Sequence, residues 1–280
     1  MLKTFTTKKS LQQYLQQIKA LNQTVGFVAT LGALHHGHLS LIELAQQQND
    51  VIVCSIFVNP SQFNDPKDLE KYPRTIEADI KLLEQVKCDI LFYPEVNEMY
   101  DDNEHWHLNI GETEHLLEGE FRPGHYQGVT QIVNKLFNIV TPDTAYFGQK
   151  DYQQFLIISK MVTMLNMPVK LVMCPIKRET DGLAMSSRNI HLTPDDRQHA
   201  LILSKTLNWL KTNFNSHNIP TLKKEAELLI NAEPGVELDY FAIADGDTLH
   251  PADEATKSIV ALVAAQVGKT RLIDNVVLSS

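Results

Sequence analysis

Three histidines fall within four positions in the stretch Ala29-Thr30-Leu31-Gly32-Ala33-Leu34-His35-His36-Gly37-His38. His35 and His38 are three residues apart, so they share one face of a helix's first turn. Two imidazoles there can donate hydrogen bonds to a phosphate chain and stabilise charge developing on a leaving pyrophosphate. Gly32 and Gly37 let the backbone come close to a ligand. An apolar run precedes the stretch and an amphipathic one follows, so it reads as a strand-to-helix turn. Free N–H groups and the helix dipole favour anions at such a turn. Taken alone, a histidine at a helix start is usually a cap or a surface residue, and three histidines in four positions could bind a metal. The metal reading finds no third ligand at a typical spacing and has no use for the glycines.

Three further stretches carry polar groups at comparable places. Phe147-Gly148-Gln149-Lys150-Asp151-Tyr152-Gln153-Gln154 follows an apolar run and opens a helical pattern. Lys150 can neutralise phosphate there, Asp151 can hold a ribose, and Gln154 lies one turn on. Asp181-Gly182-Leu183-Ala184-Met185-Ser186-Ser187-Arg188-Asn189 sets two hydroxyls beside an arginine fork, a compact phosphate clamp. Phe57-Val58-Asn59-Pro60-Ser61-Gln62-Phe63 offers uncharged donors and acceptors in Asn59 and Gln62. Singly, each also fits a solvated turn. Together they describe one cleft for a nucleotide and a small polar acid.

Such a cleft needs a sheet whose carboxyl edges gather the loops. Continuous apolar runs at 25–29, 51–58, 89–93, 144–147 and 169–173 read as parallel strands buried on both faces. Helical patterns at 39–48, 75–86, 126–140 and 152–165 alternate with them. The expected fold is α/β: a Rossmann-like doubly wound parallel sheet over residues 1–176, followed by a smaller α+β domain over 177–280. In the latter, Thr193-Pro194-Asp195-Asp196 marks a helix start. That helix should run to about Asn213 and a second should begin near Thr221. Two apolar runs joined by Val267-Gly268-Lys269-Thr270 predict a closing hairpin.

The net charge of −9 lacks the basic footprint of a nucleic-acid binder, which points to a small-molecule substrate. There is no apolar run long enough to span a membrane. The N-terminus lacks the apolar core of a secretory signal. Cys54, Cys88 and Cys174, an odd and widely spaced set in apolar runs, fit reduced thiols in a cytoplasm.

In order and in kind, these motifs resemble the pantothenate synthetases (pantoate–β-alanine ligases) along nearly the whole chain. Tyr72-Pro73-Arg74-Thr75, Leu117-Glu118-Gly119, Arg122-Pro123-Gly124-His125 and Arg271-Leu272-Ile273-Asp274-Asn275 add to the match. Leu34 to His38 is similar to the His-x-Gly-His signature of nucleotidylyl transferases and class I aminoacyl-tRNA synthetases. Met185 to Arg188 resembles their Lys-Met-Ser-Lys-Ser loop. The resemblance implies that MgATP and pantoate form pantoyl adenylate and pyrophosphate, after which the amine of β-alanine displaces AMP. It implies ATP contacts from Leu31, Gly32, Ala33, Leu34, His35, His36, Gly37 and His38, and from Gly148, Gln149, Lys150 and Asp151. It adds the backbone at Lys177 and residues Met185, Ser186, Ser187 and Arg188. His38, with His35 beside it, takes the general-acid role, and Lys150, Ser186 and Arg188 act on the phosphates. Pantoate falls to Gln62 and Gln154, with Asn59 ordering that corner. A homodimer is implied by the family alone. Asp79 matches one of two acids that help hold Mg²⁺ in one family arrangement, while Ala78 fills the other place, so the ATP phosphates should hold most of the metal. Ala29 and Leu31 stand where the family has proline and methionine, and Gln149 where it has glutamate. The first pair should loosen the loop slightly.

Overall fold

The computed structural model describes residues 1–64, 66–101 and 104–279. Its strands are β1 (Lys3–Phe5), β2 (Val25–Thr30), β3 (Val51–Ile56), β4 (Ile90–Phe92), β5 (Thr144–Gly148), β6 (Lys170–Cys174), β7 (Val236–Asp245), β8 (Ile259–Val267) and β9 (Thr270–Ser279). The helices are α1 (Lys8–Ala20), α2 (His36–Gln46), α3 (Pro66–Lys71), α4 (Ile76–Gln85), α5 (Val96–Met99), α6 (Glu118–Phe121), α7 (His125–Val140), α8 (Tyr152–Met164), α9 (Pro194–Asn213) and α10 (Ile219–Asn231).

The chain folds into two compact units. The first comprises Met1–His115, Gly119–Gly148 and Gln154–Pro175. The second comprises Leu116–Glu118, Gln149–Gln153 and Ile176–Ser280.

In the first unit a parallel sheet runs in the order β1-β4-β3-β2-β5-β6. The apolar strands are buried on both faces because alternate side chains enter two different cores. Phe27, Val53 and Phe92 pack with Leu11 and Leu15 of α1 and Phe137 of α7. Val28, Ile52, Cys54 and Leu91 pack with Ile42 of α2 and Leu83 of α4. Each such side chain removed from water contributes about 1.5–3 kcal/mol. The chain leaves β2 toward β3 on one side and β5 lies on the other, so the order reverses between β2 and β5. A parallel sheet opens a crevice at that reversal.

The α/β class read from the sequence holds, and β1, α1 and β7 are additions to it. The three residues of β1 are too few to form an apolar run, and they pair with β4. In α1 the buried side of a glutamine-rich segment is reduced to Leu11, Leu15 and Ile18. Helix α2 starts at His36 rather than at 39, and α10 at Ile219 rather than near Thr221.

The second unit holds an antiparallel sheet, β7-β8-β9, with α9 and α10 against it. Its core joins Leu203 and Leu207 of α9 to Ile230, Phe241 and Val263. Thr193 caps α9 reciprocally with Asp196, with Pro194 at the first position. The expected hairpin is β8–β9, turning at Gly268, whose φ of 56° suits glycine. Leu116–Glu118 joins this unit through Arg271. The guanidinium donates to Glu118 at 2.7 and 2.8 Å and to Asp239 at 2.7 Å.

Candidate active site

At the carboxyl end of β2 the chain turns through Leu31, Gly32, Ala33 and Leu34 before entering α2. Gly32 and Ala33 both have positive φ, 88° and 50°. Glycine takes this conformation freely, whereas alanine adopts it only when its surroundings hold it there. The Ala33 and Leu34 N–H groups donate to the Asp79 carboxylate at 3.0 and 2.8 Å. That brings the chain to His35, the N-cap of α2.

His35 and His38 form a reciprocal cap. The Gly37 N–H donates to His35 Nδ1 at 3.1 Å and the His35 N–H to His38 Nδ1 at 3.4 Å. An Nδ1 that accepts carries no hydrogen, so each neutral ring holds its proton on Nε2. The rings stack with centroids 4.0 Å apart. The backbone thus selects the tautomer that presents an Nε2–H donor. His36 begins the helix as an exposed residue, and Gly37 follows with its N–H in the cap.

Beyond β3, a single 3₁₀ turn, Pro60–Gln62, carries the Asn59 and Gln62 pair. Asn59 is fully buried and Gln62 is 8% exposed. Asn59 Nδ2 donates to Gln62 Oε1 at 3.2 Å and to the Gly128 carbonyl at 3.1 Å. Its Oδ1 accepts from the Tyr100 hydroxyl at 2.6 Å. Burial pushes the Tyr100 phenol up to about 12, so it remains a donor at neutral pH. The Gln62 carbonyl meets His125 Nδ1 at 2.8 Å. Gln62 Oε1 is thus engaged by Asn59. Gly128 permits this packing: a Cβ there would lie 2.2 Å from the Ser61 carbonyl oxygen and 2.6 Å from the Gln62 nitrogen. Gln154 sits half-buried near the start of α8.

Gly148 is the last residue of β5, and Gln149, Lys150 and Asp151 form one 3₁₀ turn directly after it. Within the second unit, Asn275 Nδ2 donates to the Gln149 and Lys150 carbonyls, both at 2.9 Å, and its Oδ1 accepts from Gln149 Nε2 at 3.1 Å. Lys150 Nζ lies 3.8 Å from Asp151 Oδ1. The loop carrying Lys177 and Met185 is closed by the Met185 N–H, which donates to the Lys177 carbonyl at 3.0 Å. Arg178 braces it from below, donating to Asp274 at 2.7 and 3.0 Å and to the Gly182 carbonyl at 3.1 Å. Ser186 caps the 3₁₀ turn Ser187–His191 by accepting from the Arg188 N–H at 3.3 Å. Ser186, Ser187 and Arg188 are half-buried and consecutive on this turn.

Tyr100, Gly128, His125, Asp274 and Asn275 hold these candidates in place, and sequence reasoning assigns no role to any of them. His125, Asp274 and Asn275 lie inside recognisable motifs, which was a usable signal. Tyr100 and Gly128 have no local signal, because their role comes from elements distant in sequence.

Asp79 does not suit a metal. It is 2% exposed, and its oxygens already accept from two backbone N–H groups and, at 3.2 Å, the Thr75 hydroxyl. Among the described residues no group of three or more His, Cys, Asp or Glu gathers as a metal site. This donor set does not fit a divalent ion held by the protein.

A family model described as pantoate-beta-alanine ligase matches residues 3–277. A pantothenate synthetase of Bacteroides fragilis is 46% identical over 277 residues, covering 98% of each chain. One from Thermotoga petrophila is 43% identical over 279 residues, covering 99% of this chain and all of its own. The crystal structure of pantothenate synthetase from Thermus thermophilus superposes with a TM-score of 0.92 at 39% identity, covering 99% of this chain and 100% of that one. The pantoate-beta-alanine ligase of Francisella tularensis, solved in complex with beta-gamma ATP and beta-alanine, gives a TM-score of 0.82 at 34% identity. It covers 99% of this chain and 98% of its own.

Proposed function

Because the chain belongs to the pantoate–β-alanine ligase family, and so joins pantoate to β-alanine with ATP, we propose how its own residues perform that ligation. A pantoate carboxylate oxygen attacks the α-phosphorus of ATP, and the bond to the bridging oxygen of pyrophosphate breaks. The amine of β-alanine then attacks the acyl carbon of the adenylate. AMP leaves with the bonding pair and the nitrogen loses a proton.

The observation that carries this reading is the capped pair His35 and His38 at the start of α2, whose Nε2–H groups are donors of the kind a leaving pyrophosphate needs. His38, in the role the family gives its acid, donates its Nε2–H hydrogen bond to the leaving pyrophosphate, and His35 supports it. Leu31 to Leu34, His36 and Gly37 bring backbone to the nucleotide. Gly148, Gln149, Lys150 and Asp151 serve ATP as well, as do Lys177 through its backbone, Met185, Ser186, Ser187 and Arg188. Lys150 and Arg188 offset phosphate charge so that an anionic carboxylate can approach. The Nε2 donor of Gln62, fixed by Asn59, takes the pantoate hydroxyl and carboxyl side together with Gln154. Mg²⁺ enters as the counter-ion of ATP.

Residues 1–176 serve as the ATP- and pantoate-binding domain and 177–280 as a lid. A homodimer in the cytoplasm completes the proposal. The buried, unpaired Cys54, Cys88 and Cys174 fit a reducing compartment, and no helix among the described residues is long and apolar enough to cross a membrane. The purified protein is given pantoate, β-alanine and MgATP, and AMP and pantothenate are assayed. Equimolar formation of both, above a His38→Ala control, is the expected result. No product above that control rejects the reading.

A further inference from the structure

Asp79 lies in the first turns of α4, far in sequence from the β2–α2 loop, yet it makes the hydrogen bonds that hold that loop. Its Oδ2 accepts from the Ala33 N–H at 3.0 Å and its Oδ1 from the Leu34 N–H at 2.8 Å. The Thr75 hydroxyl donates to Oδ1 at 3.2 Å and fixes the carboxylate's orientation. Besides these, the Gly32 N–H donates to Thr30 Oγ1 at 3.2 Å, and Leu34 packs in the core with Ile42. Gly32 and Ala33 are both at positive φ, a conformation alanine does not keep unaided. A cavity of about 140 Å³ opens against the loop, lined by Leu31, Gly32, Ile56, Arg74 and Asp79 itself. The cavity leaves the loop room to relax on that side, and the two hydrogen bonds to the Asp79 carboxylate oppose it at Ala33 and Leu34. The next residue is His35, whose ring caps α2 and stacks on His38.

We propose that Asp79 is a positioning residue for the nucleotide loop. It fixes Ala33 and Leu34 so that His35 enters α2 at the N-cap with both imidazoles oriented, and it is not a ligand of the metal that accompanies ATP. A metal ion would have to compete with three donors for a buried carboxylate. This rests on the reading that the loop and its histidines contact ATP.

The test compares Asp79→Asn with the parent in the full ligation assay. Asparagine keeps one acceptor but turns an N–H₂ donor toward the other backbone N–H. The expected result is a rise in KM for ATP of roughly tenfold or more, a smaller change in kcat, and an unchanged KM for pantoate. The Mg²⁺ concentration for half-maximal rate, measured with ATP scaled to each enzyme's KM, stays the same. A higher Mg²⁺ requirement overturns the proposal in favour of a metal ligand, and an unchanged KM for ATP overturns it outright. Should Asp79→Asn fail to fold, Thr75→Val is read instead. A severalfold rise in KM for ATP supports the proposal, and no rise rejects it. His35→Ala separates the two levels of argument. If it leaves ATP recognition intact, the reading of the loop as nucleotide site falls. If it weakens ATP recognition while Asp79→Asn does not, only the positioning role falls.

Discussion

His35 and His38 stack at 4.0 Å with 28° between their planes, and each accepts a backbone N–H on its Nδ1. In the proposed reading the cap and the chemistry use opposite nitrogens of the same rings. His38→Ala removes both functions. Product formation should fall by about 10²–10⁴-fold, with a loss of only about 1 kcal/mol in stability from the missing cap. His38→Asn restores a short acceptor for the His35 N–H. It should recover most of the thermal stability and little of the rate. Pyrophosphate release and melting curves on the two variants separate these effects.

Gly128→Ala tests the acid corner. Alanine in a helix is ordinarily better than glycine by about 0.5–1 kcal/mol. Here its Cβ would meet the Ser61 carbonyl at 2.2 Å, so the turn at Pro60–Gln62 must move. A net destabilisation of about 1–3 kcal/mol is expected. KM for pantoate should rise more than KM for ATP, and steady-state kinetics with each substrate varied measures the difference.

Lys150 and Asn275 should separate chemistry from scaffolding. The Lys150 side chain is 20% exposed, and its ion pair with the half-exposed Asp151 spans 3.8 Å. A pair that long and that wet contributes little stability. Lys150→Ala should therefore lower kcat roughly 10²–10³-fold while unfolding stays within about 0.5 kcal/mol of the parent. Asn275→Ala deprives the Gln149 and Lys150 carbonyls of their donor. It should cost about 1–3 kcal/mol in stability and lower kcat as well. Chemical denaturation run beside the activity assay checks both.

Tyr100 gives a pH signature. Its folded value is raised to about 12 from an ordinary 10, mainly by burial. A raised acid releases its proton more readily in the unfolded chain. Its contribution is therefore complete below pH 10 and is lost as pH rises through about 12. Tyr100→Phe should be less stable than the parent at pH 8, because Asn59 loses a donor at 2.6 Å. The gap should narrow between pH 10 and 12, as measured by melting temperature across that range.

Sequence alone determined the elements whose signal is local. Continuous apolar runs in β2, β3 and β5 announce strands buried on both faces, and Thr193-Pro194 announces the start of α9. The candidate groups His35, His38, Lys150, Gln62 and Arg188 were also legible, because glycines, histidines and charges next to strand ends are a local pattern. Their support was not. Asp79 is 45 residues from the Leu34 N–H it accepts, and Asn275 is 126 from Gln149. Gly128 meets Ser61 only because α7 packs against the turn after β3. A hydrogen bond between residues so far apart leaves no periodicity in the chain. Only tertiary structure decided that a conspicuous acid such as Asp79 would spend its oxygens on backbone N–H groups, since burial and donor placement are set by how the elements pack. For the same reason the tertiary structure set the histidine tautomer: the spacing of His35 and His38 placed two rings on one face, and the helix's own N–H groups settled which nitrogen carries the proton.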